Sequence, residues 1–177
     1  MGHFSLVCHP QTPARAVSAI TVDWRVAAGQ WWLDYGVVGA GDLIVPPLGA
    51  PARADGLWKT TCFELFLGQP GTHYREFNFS PSGRWATYAF NAYREGGHDA
   101  PMSVPPVIAA AREGDDFRAS VALTSDLLHH ATSAGLTAVI EEAGGHLSYW
   151  ALAHAPGKPD FHARSCFTVA IGAAEAP

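Results

Sequence analysis

The stretch KTTCFELFLGQPGTHYREFNFS, from Lys59 to Ser80, contains two alternating segments on either side of a turn rich in Gly and Pro. In each segment apolar residues recur at every second position, and successive side chains of a β-strand point to opposite faces of a sheet. The pattern predicts that Thr61–Gly68 and Tyr74–Ser80 pair as an antiparallel hairpin, because the connection is short. The side chains expected in the core are Phe63, Leu65, Phe77 and Phe79.

Alternation of the same kind extends through most of the chain. Val17–Val26 and Trp31–Val38 form a second hairpin-like pair, and further strands are predicted in GRWATYAFNAY, DFRASVALT, LTAVIEE and LSYWALAH. Only SDLLHHATS (Ser125–Ser133) favours a short helix, with Thr124 or Ser125 as its cap. We therefore predict an all-β fold: an antiparallel β-sandwich of two sheets, jelly-roll or immunoglobulin-like, with at most one or two short helices.

The composition is that of one globular domain spanning residues 1–177, with 48% hydrophobic and 15% charged residues. A net charge of −5 without any Lys or Arg run predicts that neither nucleic acid nor an anionic membrane is a partner. The amino terminus lacks the pattern of a secretory signal, so we expect a cytoplasmic protein. Cys8, Cys62 and Cys166 have no CxxC spacing and are expected to be buried, reduced thiols.

The second face of the predicted hairpin is polar. Glu64 on one strand and Glu76 with Asn78 on the other can share it, opposite the phenylalanines. The flanking turns bring Trp58, Lys59, Arg84 and Trp85 close. One interpretation is a solvent-exposed strand face with cross-strand charge pairs. The other is a binding site, because tryptophan rings beside carboxylates and a guanidinium suit a ligand with apolar C–H faces and hydroxyl edges, such as a sugar.

Three segments together resemble a known family: DGLWKTTCFELFLG (Asp55–Gly68), YREFNFSPSGRWATYAF (Tyr74–Phe90) and YWALAHAPGKPDFH (Tyr149–His162). They are similar to the DOMON-like domains related to family 9 carbohydrate-binding modules, which include small bacterial proteins consisting of this domain alone. The resemblance implies a β-sandwich over the whole chain. In the carbohydrate-binding relatives it also implies a sugar held by stacking tryptophans with charged and amide partners.

The positions that match the family's motifs are Trp58, Glu64, Glu76, Asn78, Asp160 and His162. Other DOMON relatives bind haem through Met and His, and secreted carbohydrate-binding members hold calcium. The calcium ligands and the sandwiching tryptophan pair of the relatives have no counterparts that can be assigned in this chain. We therefore predict no cofactor, with haem or calcium as the alternatives that the resemblance leaves open.

We predict a non-catalytic domain that binds a small sugar or glycan, with a partner protein as a further alternative. The expected ligand-binding residues are Trp58, Lys59, Glu64, Glu76, Asn78, Arg84, Trp85, Arg94, His154, Asp160 and His162. The competing hypotheses are enzymes: a glycoside hydrolase that uses Glu64 and Glu76 as its carboxylate pair, or a haem-dependent redox domain. His154 and His162 flank an exposed-looking loop and could converge with Asp160 on a metal or haem. The adjacent His129 and His130 are expected on the surface.

Overall fold

A computed structural model describes residues 1–172, and its regular secondary structure is almost entirely β-strand. The strands are β1 (Gly2–Cys8), β2 (Ala19–Ala27), β3 (Gln30–Val38), β4 (Cys62–Gly68), β5 (Tyr74–Phe79), β6 (Trp85–Phe90), β7 (His98–Asp99), β8 (Val107–Glu113), β9 (Asp116–Thr124), β10 (Ser133–Glu142), β11 (His146–Ala151) and β12 (Val169–Ala170). Single 3₁₀ turns occur at Leu57–Lys59, Ser125–Leu128 and Arg164–Cys166. Over residues 1–172, no helix has the length and apolar character needed to cross a membrane.

The strands form one strongly curled antiparallel sheet in the order β7-β6-β5-β4-β10-β11-β1-β2-β3-β9-β8, with β12 added beside β10. Strand β1 joins the two halves, because Gly2–Leu6 pairs with β2 while Val7 and Cys8 pair with β11. The predicted all-β, antiparallel class is confirmed. The division into two separate sheets is not, because β1 makes the hydrogen-bonded order continuous.

The hairpin predicted from the quoted stretch is confirmed, with Phe63 opposite Phe79, Glu64 opposite Asn78 and Phe66 opposite Glu76. One face of this hairpin points into the curl of the sheet. There Phe63, Leu65, Phe77 and Phe79 are each at most 1% exposed and pack with Trp24, Trp31 and Tyr35 from the other half. These four side chains are core residues, as expected.

The other face of the hairpin is also buried, which an open strand face would not be. A smaller apolar cluster covers it, built from Phe66, Tyr74, Val139, Ala151, Phe161, Cys166 and Phe167. Strand β4 is consequently buried at every position. The sheet therefore carries a second layer on this side, made by the chain that follows β11 rather than by another sheet.

The predicted helix over Ser125–Ser133 is wrong in extent. Only Ser125–Leu128 forms a 3₁₀ turn, and no side chain caps it at Thr124. The chain is then drawn into the sheet, because the Thr132 N–H donates to the Gly68 carbonyl at 2.7 Å and β10 begins at the next residue. Sheet pairing leaves too few residues for a helix to continue. His129 and His130 are exposed, as expected.

The three cysteines are free thiols, and two of them are as buried as predicted. Cys62 and Cys166 are buried, and burial raises the pKa of both thiols. Cys8 is only half-buried, which corrects the prediction for that residue. It lies at the end of β1, where the strand leaves the sheet.

Candidate functional site

A cavity of about 630 Å³ opens on the outer face of the β4–β5 hairpin. This volume lies within the range of roughly 300–1,000 Å³ that is usual for small-molecule sites. Its strand-borne lining consists of Glu64, Phe66, Glu76, Tyr88, Phe90, Val139 and Tyr149. Register explains the assembly: Phe66, Glu76 and Tyr88 lie directly opposite one another on β4, β5 and β6 and so share one face.

Two loops and one side chain complete the cavity wall. The segment before β4 contributes Asp55, Gly56, Trp58 and Lys59, and the segment after β11 contributes Pro159, Asp160, Phe161 and His162. Arg94 reaches in from the loop after β6. The half-exposed Trp58 and five buried or partly buried Phe and Tyr rings thus surround a floor of two carboxylates.

Glu64 and Glu76 are the most unusual residues of this floor, at 3% and 6% exposure. Thr137 donates a hydrogen bond from its hydroxyl to Glu64 Oε2 at 3.2 Å, and Asn78 donates its amide N–H to Glu76 Oε1 at 2.8 Å. Burial, and then the charge of Glu76, raises the pKa of Glu64 well above its usual range. Burial also raises the pKa of Glu76, against the opposing influence of Asn78 and Arg94.

His162 lies against Glu76, with 3.6 Å between Nε2 and the Glu76 Oε2 atom. The Tyr74 hydroxyl accepts the Arg94 backbone N–H at 3.2 Å, and its oxygen lies 2.8 Å from His162 Nδ1. We infer that Tyr74 donates to Nδ1, which leaves the imidazole proton on Nε2, facing Glu76. Burial, followed by the charge of Arg94, lowers the pKa of His162 to about 4. The contact with Glu76 therefore involves a neutral imidazole near pH 7, not an ion pair.

Asp160 fixes the loop that carries His162. Its carboxylate accepts hydrogen bonds from Arg94 Nη2 at 3.0 Å, the Tyr93 hydroxyl at 2.6 Å and the His162 backbone N–H at 3.1 Å. Burial opposes ionisation of Asp160, but these three donors together outweigh it and hold the pKa below its usual value. Arg94 itself adopts a left-handed backbone conformation with φ of 54°, which few residues other than Gly adopt. The loops after β6 and after β11 are therefore joined across the mouth of the cavity.

A second polar group forms the opposite rim. The Asp55 carboxylate accepts hydrogen bonds from Arg53 Nη1 at 3.2 Å, from Arg53 Nη2 at 2.9 Å and from the Tyr88 hydroxyl at 2.6 Å. Burial and the hydrogen bond to Asp55 raise the pKa of Tyr88. Beside this group Trp58 is 48% exposed. A large ring that stays half-exposed at a cavity mouth is available to stack on a ligand.

Not all of the predicted site residues reach the cavity. Those that line it are Trp58, Lys59, Glu64, Glu76, Arg94, Asp160 and His162. Asn78 is fully buried and contacts the Glu76 carboxylate from the side. Trp85 lies opposite Phe79, so it belongs to the phenylalanine face, and Arg84 is exposed in the turn before it.

His154 also lies away from the lining, and it does not converge with Asp160. Its Nε2 lies 2.8 Å from the Val7 carbonyl, and its ring meets the His9 ring edge-on at 4.7 Å between centroids. Across residues 1–172, no group of three or more His, Cys, Asp or Glu side chains is arranged to hold a metal ion.

Several lining residues were missed from the sequence: Asp55, Phe66, Tyr88, Phe90, Tyr149 and Phe161. Parity could have identified three of them, and the first is Phe66, which follows Glu64 by two residues on β4. Once the turn before β6 sets Trp85 opposite Phe79, Tyr88 and Phe90 must fall on the face of Glu76. Tyr149 offered no such signal, because it reaches the site through β11 pairing with Val139 on β10.

Comparison with known proteins gives a fold relationship only. No protein-family model matches the sequence, and no curated protein matches it. Among solved structures, the chain is similar to a putative carbohydrate-binding protein from Bacteroides uniformis, with a TM-score of 0.66 and 16% sequence identity. The alignment covers 94% of this chain and 84% of the other. At this identity the likeness establishes a shared fold.

Proposed function

We propose that the cavity binds a carbohydrate or sugar-like small molecule without transforming it. The observation that carries the proposal is an aromatic-walled cavity whose floor is formed by the buried carboxylates of Glu64 and Glu76. Sugars have apolar C–H faces that stack on rings and hydroxyl edges that donate to carboxylates.

The proposed roles follow from position and charge. Trp58, exposed at the mouth, stacks on a sugar face. Glu64 and Glu76 accept hydroxyl hydrogen bonds at the floor, and the neutral His162 donates from Nε2. Lys59 and Arg94 supply donors at the rim, although Arg94 is already bonded to Asp160. Asn78 positions Glu76 instead of contacting the ligand.

Two further observations support the proposal. The structural neighbour from Bacteroides uniformis is described as a putative carbohydrate-binding protein, and its fold extends over nearly the whole chain. The motif positions that resemble DOMON-like domains include Trp58, Glu64, Glu76, Asp160 and His162, all of which line this cavity. We propose membership of that group on this basis.

The test is a panel of mono- and disaccharides, screened by thermal shift and followed by calorimetry. Because a ligand that binds only the folded state raises its apparent stability, a true ligand should raise the melting temperature in a concentration-dependent way. Trp58→Ala should weaken binding by about 1–3 kcal/mol, the range found when an aromatic ring that stacks on a nucleobase is replaced by Ala. Trp32→Ala, on β3 and outside the cavity lining, is the matched control. Equal binding by both variants, or no response to any sugar, would contradict the proposal.

Glycoside hydrolysis is the second candidate, favoured by the unequal environments of the two carboxylates. Glu64 accepts the Thr137 hydroxyl, whereas Glu76 accepts the Asn78 amide and lies against His162. Burial raises the pKa of both carboxyls, and glycoside hydrolysis uses a proton-donating acid beside a second carboxyl. Release of new reducing ends from a bound oligosaccharide, abolished by Glu64→Gln, would establish it. A haem domain has less support, since neither Met1 nor Met102 lines the cavity. A Soret band in the purified protein would nonetheless reveal haem.

A further inference from the structure

Within residues 1–172, Glu64 is a buried carboxylate that is not paired with a cationic side chain. It is 3% exposed and lines the cavity. Its carboxylate accepts a hydrogen bond from the neutral Thr137 hydroxyl. Within residues 1–172, no Lys, Arg or His side chain forms a salt bridge with it. A buried carboxylate is strongly disfavoured in its charged form unless a positive charge is supplied.

The cationic side chains of the cavity are engaged elsewhere. The Arg94 guanidinium is bonded to Asp160 at 3.0 Å, and Lys59 Nζ lies 5.9 Å from the centre of the Trp58 ring at the exposed rim. His162 is the nearest basic group to Glu76, but it is neutral near pH 7. Glu64 and Glu76 at the floor of the cavity therefore have no positively charged partner among the side chains that line it.

We propose that the natural ligand supplies this charge: the site takes an amino sugar whose protonated amine sits between the Glu64 and Glu76 carboxylates. This inference rests on the proposed carbohydrate-binding function and names the ligand class. An ammonium has three N–H donors and no acceptor, so it can bridge two carboxylates with charge-assisted hydrogen bonds. The rings of Tyr88, Phe90 and Tyr149 also line the cavity, and an aromatic ring attracts a cation that lies over its face.

Binding of an amino sugar should release a proton from the protein, whereas binding of a neutral sugar should not. Burial raises the pKa of both Glu64 and Glu76, so before binding the pair retains a proton above the pH at which a free carboxyl ionises. When the ligand's R–NH₃⁺ enters, that shared proton leaves to solvent as H⁺ and both carboxylates become ionised. No covalent bond forms or breaks. A neutral hydroxyl in the same place leaves the shared proton where it is.

The experiment compares three probes: glucosamine, glucose and N-acetylglucosamine. They share one ring and differ at a single position, where the substituent is an ammonium, a hydroxyl or a neutral amide. We expect glucosamine to bind at least about tenfold more tightly than the other two, because hydrogen bonds to charged groups are the stronger ones. Titration calorimetry in buffers of different ionisation enthalpy should show net proton release with glucosamine alone.

Variants of the protein distinguish this inference from the proposed carbohydrate-binding function on which it rests. Glu64→Gln keeps an acceptor for Thr137 and removes the charge, so glucosamine should lose its preference over glucose and its net proton release, while both sugars bind more weakly. Glu113→Gln, an exposed carboxylate on β8 paired with Arg118, is the control and should change nothing. If Glu64→Gln does not fold, proton release by the unaltered protein still decides the question.

The outcomes are distinguishable. Tighter binding of glucosamine with proton release supports the inference. Equal binding of glucosamine and glucose without proton release overturns it and leaves the proposed carbohydrate function standing. Failure of all three probes and of every other sugar in the panel overturns both.

Discussion

The two faces of the β4–β5 hairpin are buried to the same degree and are built in opposite ways. The inner face is apolar apart from Arg75 at its edge, with Phe63, Leu65, Phe77 and Phe79 packed into the main core. The outer face carries Glu64, Glu76 and Asn78 at comparable burial, under a loop held by Asp160. Apolar packing on the inner face stabilises the fold directly. Buried acids on the outer face oppose folding, so their presence there is best explained by a ligand.

The largest expected difference between the faces comes from truncating an aromatic ring on each. Phe77→Ala should lower the free energy of unfolding by about 3–5 kcal/mol, because it opens a cavity in a fully packed core. Phe90→Ala should lower it by less than half as much, since Phe90 is half-buried beside the site and can be replaced by water. Urea unfolding of both variants checks this. A loss of under about 1 kcal/mol for Phe77→Ala would mean that the core is elsewhere.

The next prediction concerns the stability of the folded protein at acidic pH. The His162 pKa is lowered to about 4 in the folded protein, against about 6.5 in an unfolded chain. The folded state therefore binds fewer protons than the unfolded state. The free energy of unfolding should be unaffected by His162 above pH 6.5 and should fall as the pH drops towards 4, by at most about 3 kcal/mol. Unfolding measured from pH 4 to 8 should show this loss, and His162→Gln should remove it. The exposed His129→Gln is the control, and identical profiles for all three proteins would contradict the assignment.

Glu64 should have the opposite pH dependence. Its pKa is raised in the folded state, mainly by burial, so the folded protein binds the extra proton and loses stability as pH rises above the unfolded value of about 4.3. Glu64→Gln should therefore be more stable than the unaltered protein at pH 8, by about 1–2 kcal/mol, with the difference shrinking towards pH 4. A destabilised variant at pH 8 would show that the charge is compensated.

The smallest global effect is expected at the loop that closes the outer face. Asp160→Asn weakens its bonds to Arg94 and Tyr93, but the Arg94 pair is partly exposed, so the free energy of unfolding should fall by less than about 1 kcal/mol. Local opening should increase much more. Amide hydrogen exchange in residues 157–163 should accelerate, while Tyr93→Phe, which removes one donor, should have a smaller effect. Unchanged exchange in Asp160→Asn would show that the loop is held by other contacts.

Local pattern was sufficient to predict the hairpin and the sharing of one face by Glu64, Glu76 and Asn78. Both follow from the period of two along a strand and from a short turn, which are properties of neighbouring residues. The flanking strands could not be predicted in this way, because β10 and β11 meet the hairpin only through pairing across the chain. That pairing brings Tyr149 to the cavity.

The errors have equally specific causes. Trp85 was grouped with the polar face because it follows Asn78 closely in sequence, although its pairing with Phe79 puts it on the other face. His154 was grouped with His162 because the two lie in one segment, yet its imidazole is directed to Val7 on β1. Closeness in sequence gave no information about side-chain direction in either case.

The shared strand β1 has a consequence for how the chain reaches this structure. Val7 pairs with Ala151, so β1 finds one of its two neighbours only after the chain has been made as far as β11. Closing such long loops is entropically expensive before contact is gained, which places the fold among the slowly assembling β-proteins. Until β11 arrives, the carboxyl-terminal end of β1 is an unpaired strand edge, a surface on which nascent chains associate with one another.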